Sequence, residues 1–444
     1  MPSVEEVLGT EIYRAYAYSY PHKSAYRALS KPMKLQPLWA SEKRDSLFLY
    51  VHIPYCQMRC GFCNLFTLVR PNDRQVEVYL EALLRQIETY AALLNPVRFA
   101  RFALGGGTPT FLTQPQLQRL MEALNHHFNL NLHDTPATIE CSPGTIDQEK
   151  VTYLNSLGTR RLSIGIQSFI EQETRNLARP QPPAEAHAAL ETIRTYSSSE
   201  LNVDLIYGID GQTEQSWRYS IDSALNYQPD ELYLYPLYIR KLTGLDKIKK
   251  DRIASDRQSH MLKLYRLARG QLLDAGYEQV SMRMFRRQTA TSAQQPIYSC
   301  QQDGMVGLGA GARSYTRNFH YSSEYAVGRH DIKSIIEHYS QMTADDFRYA
   351  GYGVTLDEKE RQRRFVIQSL LLAEGLSLHQ YTETFNSQVT NDMPELAVLS
   401  ELGLTQTSDL DIRLTEAGLE RADMIGDWLI SKDIRQRMQG FELR

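Results

Sequence analysis

Six apolar runs, each followed by an amphipathic helical pattern, constrain the fold of this chain more than any other feature. The runs are Leu47–Ile53, Val97–Leu104, Ala137–Glu140, Arg161–Ile164, Val203–Ile206 and Glu231–Tyr235. Each is short and mostly apolar, which suits strands buried on both faces of a parallel sheet. Helical patterns follow at about 74–94, 114–128, 147–157, 184–196, 213–226 and 257–275. Six such βα units in a row imply a parallel sheet covered by helices, either doubly wound or a full or partial barrel. The expectation adopted is an α/β partial barrel. An arm rich in Tyr and Pro precedes it. After about residue 356 the text turns helical and ends in Leu402-Gly403-Leu404…Ile412-Arg413-Leu414-Thr415, a helix, short strand pair and helix of winged-helix type. The divisions expected are an N-terminal arm at 1–44, a barrel with its closing segment at 45–320, and a small C-terminal helical domain at 321–444.

Composition removes several classes. A chain of 444 residues allows two to four domains, at roughly 100–200 residues each. Mean hydropathy is −0.43, and no apolar run approaches the ~20 residues needed to span a bilayer. Lys and Arg total 49 against 52 Asp and Glu, so nothing points to nucleic acid. Met1-Pro2-Ser3-Val4-Glu5-Glu6 is acidic and has neither the basic nor the apolar region of a signal peptide. Five cysteines form an odd set that cannot be a secreted disulfide framework. A cytoplasmic enzyme is the expectation.

Three of those cysteines fall in Tyr50-Val-His52-Ile-Pro54-Tyr55-Cys56-Gln-Met-Arg-Cys60-Gly-Phe62-Cys63, a C-x3-C-x2-C cluster at the end of the first strand. Thiolates are soft ligands, and local cysteine-rich loops bind zinc or iron–sulfur clusters. Structural zinc needs four protein ligands, usually as two separated pairs, whereas here Cys141 and Cys300 stand apart from one triplet. Three thiolates can hold three irons of a [4Fe-4S] cube and leave the fourth open. An open iron can bind S-adenosylmethionine through its amino and carboxylate groups and reduce its sulfonium, giving a 5′-deoxyadenosyl radical that abstracts hydrogen. The competing reading is three buried structural cysteines or a zinc site.

With the motifs downstream, the chain resembles the radical S-adenosylmethionine superfamily, and within it the group of oxygen-independent coproporphyrinogen III oxidase (dehydrogenase) and the heme chaperones. The motifs are Gly105-Gly106-Gly107-Thr108-Pro109-Thr110, Ile139-Glu140-Cys141-Ser142-Pro143-Gly144-Thr145, Arg161-Leu-Ser163-Ile-Gly165-Ile-Gln167-Ser168-Phe169, Asp204-Leu-Ile-Tyr207-Gly208 and Gly307-Leu-Gly309-Ala-Gly311-Ala312-Arg313-Ser314-Tyr315. The resemblance spans roughly residues 46–316 and implies a partial (β/α)6 barrel. It implies that Cys56, Cys60 and Cys63 hold the cluster. It implies that Gly106, Gly107, Thr108, Glu140, Gln167, Arg179 and Asp204 position S-adenosylmethionine, with Tyr50, Phe62, Tyr238 and Arg313 beside them. Read directly, the glycine turn would bring backbone donors to a ligand, and Glu140, Gln167, Arg179 and Asp204 lie at or just beyond strand ends. Gly307, Gly309 and Ala312 also satisfy the dinucleotide fingerprint G-x-G-x-x-A, which is rejected because no first βαβ unit surrounds it.

Departures from the oxidase bear on substrate. Its cluster motif continues to a fourth cysteine where Leu65 stands here. Tyr18-Ser19-Tyr20-Pro21 resembles its arm. Tyr233, Tyr235 and Tyr238 are larger than its usual residues around a second S-adenosylmethionine, and arginine at 313 replaces a smaller apolar residue or histidine. Tyr16, Tyr18, Tyr20, His22, Lys23 and Arg27 of the arm offer rings and cations to a macrocycle bearing propionates. The expectation is a distinct subfamily with one or two S-adenosylmethionine molecules. It would act on a tetrapyrrole-like small molecule and be reduced by a donor such as flavodoxin or ferredoxin. The alternatives are a heme-binding chaperone and a radical enzyme with a non-porphyrin substrate. Anaerobically reconstituted protein should hold about four irons. Cys60→Ala should abolish both the brown chromophore and cofactor cleavage, while Cys141→Ala and Cys300→Ala should keep the cluster, as iron assay and absorbance would report.

Overall fold

The computed structural model describes residues 12–13, 19–248, 255–290 and 300–443. The acidic N-terminal stretch and Tyr16 and Tyr18 of the arm lie outside them.

All six expected strands form: β1 (Leu47–Ile53), β2 (Phe99–Gly106), β3 (Ala137–Cys141), β4 (Arg161–Gln167), β5 (Glu200–Tyr207) and β6 (Glu231–Pro236). They pair in parallel in chain order, each beside the strands before and after it in this series. A doubly wound sheet would reverse direction at a switch point. Here the order never reverses, so the winding is of the barrel kind, carried into a larger open sheet. Helices Asp73–Leu94, Gln114–Phe128, Gln148–Ser156, Pro183–Tyr196, Glu214–Leu225 and Ser255–Asp274 link and follow them. The first is set by a capping box in which the Asn72 side chain accepts from Gln75 N–H and Gln75 reaches back. Val76, Leu80, Leu83, Ile87 and Tyr90 then recur at helical spacing and are buried.

The strands' period of two separates structure from chemistry. Ile139, Leu162, Ile164, Val203, Leu205, Leu232 and Leu234 are buried in the core. The alternate positions carry Glu140, Ser163, Gly165, Asn202, Asp204 and Tyr233, which stand side by side across the sheet as Glu140↔Ser163, Gly165↔Asp204 and Asp204↔Tyr233. Polar chemistry is thereby gathered on the face away from the helices.

The sheet extends past these six strands to 13. Met305–Leu308 joins β1 in parallel and is followed by antiparallel strands Arg313–Tyr315, Phe319–Ser322 and Tyr349–Thr355. The segment with G-x-G-x-x-A therefore runs strand, turn, strand and opens no helix. Gly309 is required by packing: its φ is +96°, and a Cβ there would stand 2.5 Å from both His52 O and the Tyr79 hydroxyl.

Two expected divisions meet this sheet. A boundary at 320/321 falls inside strand Phe319–Ser322, since the main sheet continues to Thr355. The arm's Arg27–Lys34 is itself a strand, pairing antiparallel with Tyr349–Thr355. Its sequence hid this, because an edge strand holding Pro32 and exposed on most residues lacks the apolar run of a central one.

From Glu358 the chain forms a helix (Glu358–Leu370), a three-stranded sheet of Leu376–Ser377, Asp411–Leu414 and Thr405–Thr407 with helices inserted, and the closing helices Ala422–Trp428 and Lys432–Gln439. This C-terminal unit is bonded to the barrel. Arg266 binds Glu420 with two bonds of 2.7 Å, and Arg269 binds Glu416 at 2.8 Å. Arg283 pairs with Asp423, with side chains 2% and 0% exposed, and both bond the Tyr238 hydroxyl. The arm ties in as well: Gln301 bridges the Tyr20 backbone through two 3.0 Å bonds, and the Tyr20 hydroxyl donates to Glu360. Among the described residues no helix is long and apolar enough to cross a membrane. Removing one partner of a buried ion pair strands the other charge, which costs about 3–5 kcal/mol. Asp423→Ala should lower stability to denaturant by that amount, whereas Glu416→Ala, whose partner pair is more exposed, should change it by under about 1 kcal/mol.

Candidate functional site

The cysteine triplet occupies the loop after β1. Tyr55–Cys56 runs parallel to Leu68–Val69, so the loop between them is closed at its base. Its far side is held where Gly61 N–H donates to Leu177 O and Gly61 O accepts from Leu245 N–H, both at 2.8 Å. The near side rests on the glycine turn: Gly107 N–H donates to Ile53 O and Thr108 N–H to Tyr55 O, each 2.8 Å. A Cβ at Gly107 would come 2.5 Å from Tyr55 O and 2.9 Å from Cys56 Sγ. Only glycine lets these two loops meet.

Those contacts correct one expectation. The turn does not present backbone donors to a ligand, because Gly106 N–H donates to Glu140 Oε2 at 3.1 Å and the next two are taken as just described. The turn faces the site instead through the bare Gly107 and the Thr108 hydroxyl, which lies 3.4 Å from Cys56 Sγ.

Behind the loop, His52 Nε2 lies 3.0 Å from Phe66 O and Nδ1 lies 3.0 Å from the Tyr50 hydroxyl. A carbonyl can only accept, so Nε2 carries the proton and Tyr50 donates to Nδ1. Burial pushes the ring's pKa down to about 4, so the imidazole is neutral and braces the loop.

A cavity of about 870 Å³ opens over this loop and the strand ends, near the top of the ~300–1,000 Å³ range of ligand pockets. Cys56, Cys60 and Cys63 line it together with Phe62, Gly107, Thr108, Glu140, Gln167, Arg179, Asp204, Tyr238 and Arg313. Tyr50 and Gly106 are not in its wall. They stand one layer back, bonded to His52 and Glu140 respectively.

Arg179 joins the loop to the strand ends. Its Nη1 donates to Cys60 Sγ at 3.2 Å, and its Nη2 donates to Gly165 O at 2.7 Å and Ser142 Oγ at 3.2 Å. Gln167 ends β4 with φ +72°, at an irregularity of the β4–β5 pairing, a strained backbone that turns its amide to the cavity. Glu140 is pushed up to about 7, chiefly by burial, with the Gly106 N–H opposing. Asp204 is pushed up to about 6, again by burial first, with Asn202 Nδ2 donating to it at 2.7 Å. The Cys56 thiol is pushed up to about 12 by burial, with the Thr108 bond opposing and Cys63 and Cys60 adding to the rise. Burial raises the Cys63 thiol as well, and thiols that resist ionisation alone suit compensation by cationic iron, with all three cysteines lining the one cavity. Among the described residues no three His, Cys, Asp or Glu side chains converge on one ion position. A cubane differs from a single ion in holding each thiolate at a separate iron. The residues fit a cluster.

Sequence reasoning did not find Tyr325, Ile430, Met438 and Phe441, which also line the cavity from the closing segment and the C-terminal unit. No local pattern marks them, since only tertiary packing brings them there.

Residues 50–224 match the family model for the radical SAM superfamily. Oxygen-independent coproporphyrinogen III oxidase of Pseudomonas aeruginosa is 29% identical over 390 residues, 84% of this chain and 83% of the relative. Heme chaperone HemW of Bacillus subtilis is 25% identical over 373 residues, 83% of this chain and 95% of the relative. The solved structure of coproporphyrinogen III oxidase (HemN) from Escherichia coli superposes with a TM-score of 0.78 at 24% identity, covering 96% of this chain and 98% of that one. The chain thus carries a radical SAM domain at residues 50–224, and it is similar along most of its length to oxygen-independent coproporphyrinogen III oxidase.

Proposed function

We propose that this enzyme abstracts hydrogen from a tetrapyrrole-like substrate, as in oxidative decarboxylation of a propionate side chain. The observation that carries the reading is a single cavity lined by all three loop cysteines, the buried carboxylates Glu140 and Asp204, and the arm. A [4Fe-4S] cluster and S-adenosylmethionine, when bound and reduced by a donor such as flavodoxin or ferredoxin, supply the hydrogen-abstracting radical. Cys56, Cys60 and Cys63 ligate the cluster, and Arg179 donates to the Cys60 sulfur. Glu140 and Asp204 accept from the amino group and ribose hydroxyls of S-adenosylmethionine, with Gln167 and Thr108 as further polar contacts and Phe62 packing beside them. One S-adenosylmethionine is proposed rather than two, because the Tyr238 hydroxyl expected near a second is committed to Asp423 and Arg283.

Reduced, reconstituted protein given S-adenosylmethionine and coproporphyrinogen III anaerobically should form 5′-deoxyadenosine and a decarboxylated product, read by liquid chromatography and mass spectrometry. A Soret band on heme addition with no conversion would instead favour a chaperone like the Bacillus relative. Glu140→Gln should weaken S-adenosylmethionine binding about ten- to hundredfold, since charge-assisted bonds are worth roughly 1.5–3 kcal/mol. A raised carboxylic pKa means the charge is present above about pH 7 and lost below it. Wild-type affinity should therefore fall as pH drops from 8 to 6, with a smaller fall in the variant. Equal affinities in calorimetry would remove Glu140 from the site.

A further inference from the structure

The cavity is electrically divided. Glu140 and Asp204 form one pole at the strand ends, while Lys23 of the arm and Arg313 of the closing segment line the other side. Elsewhere in the fold two arginines answer to carboxylates: Arg161 meets Glu231 at 2.6 Å, and Arg283 meets Asp423. Lys23 and Arg313 do not. Among the described residues, Arg313 Nη1 donates to the neutral Ser19 hydroxyl at 2.8 Å, and Lys23 Nζ lies 3.9 Å over the ring of Tyr325, with no ion-pair partner for either. Two cations facing one cavity without an anion carry a desolvation cost that a bound anion would relieve. Burial and then Arg313 push the Lys23 ammonium down to about 7, which is the same cost seen from the proton's side. His22, next in the chain, adds no charge, since burial first and then the neighbouring cations lower its pKa to about 3.

We propose that Lys23 and Arg313 form a carboxylate-binding subsite that takes an acidic side chain of the substrate. A planar guanidinium fork matches both oxygens of a carboxylate, and the ammonium adds a point charge beside it. The two poles then fix direction, with the cofactor's cationic groups toward Glu140 and Asp204 and the substrate's anion toward the arm. Lys23 interacts electrostatically with Cys63, so an anion held there stays on the side of the cysteine loop. The proposal rests on the tetrapyrrole reading, to which it adds the means of recognition. The carboxylate of S-adenosylmethionine is the other source of the same chemistry.

The test uses the reconstituted full-length protein, with coproporphyrin III and its tetramethyl ester as fluorescent probes. Wild type should bind the tetra-acid at least about tenfold more tightly than the ester. Arg313→Leu and Lys23→Met should each weaken tetra-acid binding about tenfold or more, leaving ester binding, iron content and S-adenosylmethionine affinity unchanged. Arg313→Lys should restore part of the loss. Should Arg313→Leu fail to fold, Lys23→Met and the acid–ester comparison in wild type still decide the question. Tetra-acid binding that is unaltered in both variants, or equal for acid and ester, would overturn the subsite while leaving the macrocycle reading intact. Loss of S-adenosylmethionine affinity alone would overturn it by assigning the cations to the cofactor. Failure of wild type to bind either probe would overturn the macrocycle reading, and the substrate subsite with it.

Discussion

The contact between the Gly106-Gly107-Thr108 turn and the backbone of Ile53 and Tyr55 is the one on which the site depends. Two bonds of 2.8 Å and the absence of a side chain at Gly107 let the cysteine loop lie directly on the end of β2. Everything nearby inherits its place from that closeness. Thr108 reaches Cys56, the Gly106 N–H turns to Glu140, and parallel register then sets Ser163, Gly165 and Asp204 in a row beside it. His52 performs the matching task from behind as a neutral brace. Its neutrality matters, because a protonated Nδ1 could no longer accept from Tyr50.

The parts of this fold that repeat with a fixed period were legible in the sequence. The six central strands start or end within a few residues of the apolar runs, because burial on both faces leaves little choice of residue at those positions. The helices between them were equally legible, since a helix laid on a sheet must present one apolar stripe. Edge strands escape such reading. Arg27–Lys34 is exposed along most of its length, and Tyr349–Thr355 includes two glycines, so neither carries the apolar run of a central strand. The site was legible to the same degree. Cys56, Cys60, Cys63, Glu140 and Asp204 stand on or just after periodic strands and were placed by them. Met438 reaches the cavity from the last helix and Phe441 from the stretch just after it, hundreds of residues away, and nothing local foretells that. The direction of a backbone N–H is also invisible to a motif, which is why the glycine turn was expected to face a ligand and instead faces protein.

Charge separation within one cavity is the second organising element. Carboxylates at one pole are pushed toward neutrality and the Lys23 ammonium at the other toward loss of its proton, both by burial. A ligand carrying charges in the opposite arrangement relieves both poles at once. Such a cavity discriminates by orientation as much as by size, because a reversed ligand would set like charges together.

The two poles also come from different stretches of chain. The cysteine loop, the glycine turn and the carboxylates belong to the six parallel strands and their loops. The opposite wall is assembled from the arm, the segment around Arg313 and Tyr325, and the C-terminal residues Ile430, Met438 and Phe441. The two sets are joined where Arg59 of the cysteine loop donates to Val327 O at 2.6 Å and where Tyr238 meets Asp423. In evolutionary terms the half that carries the cysteines and carboxylates can be inherited unchanged while three short stretches drift. A lineage with this architecture can therefore exchange one substrate for another without passing through a form that has lost its chemistry.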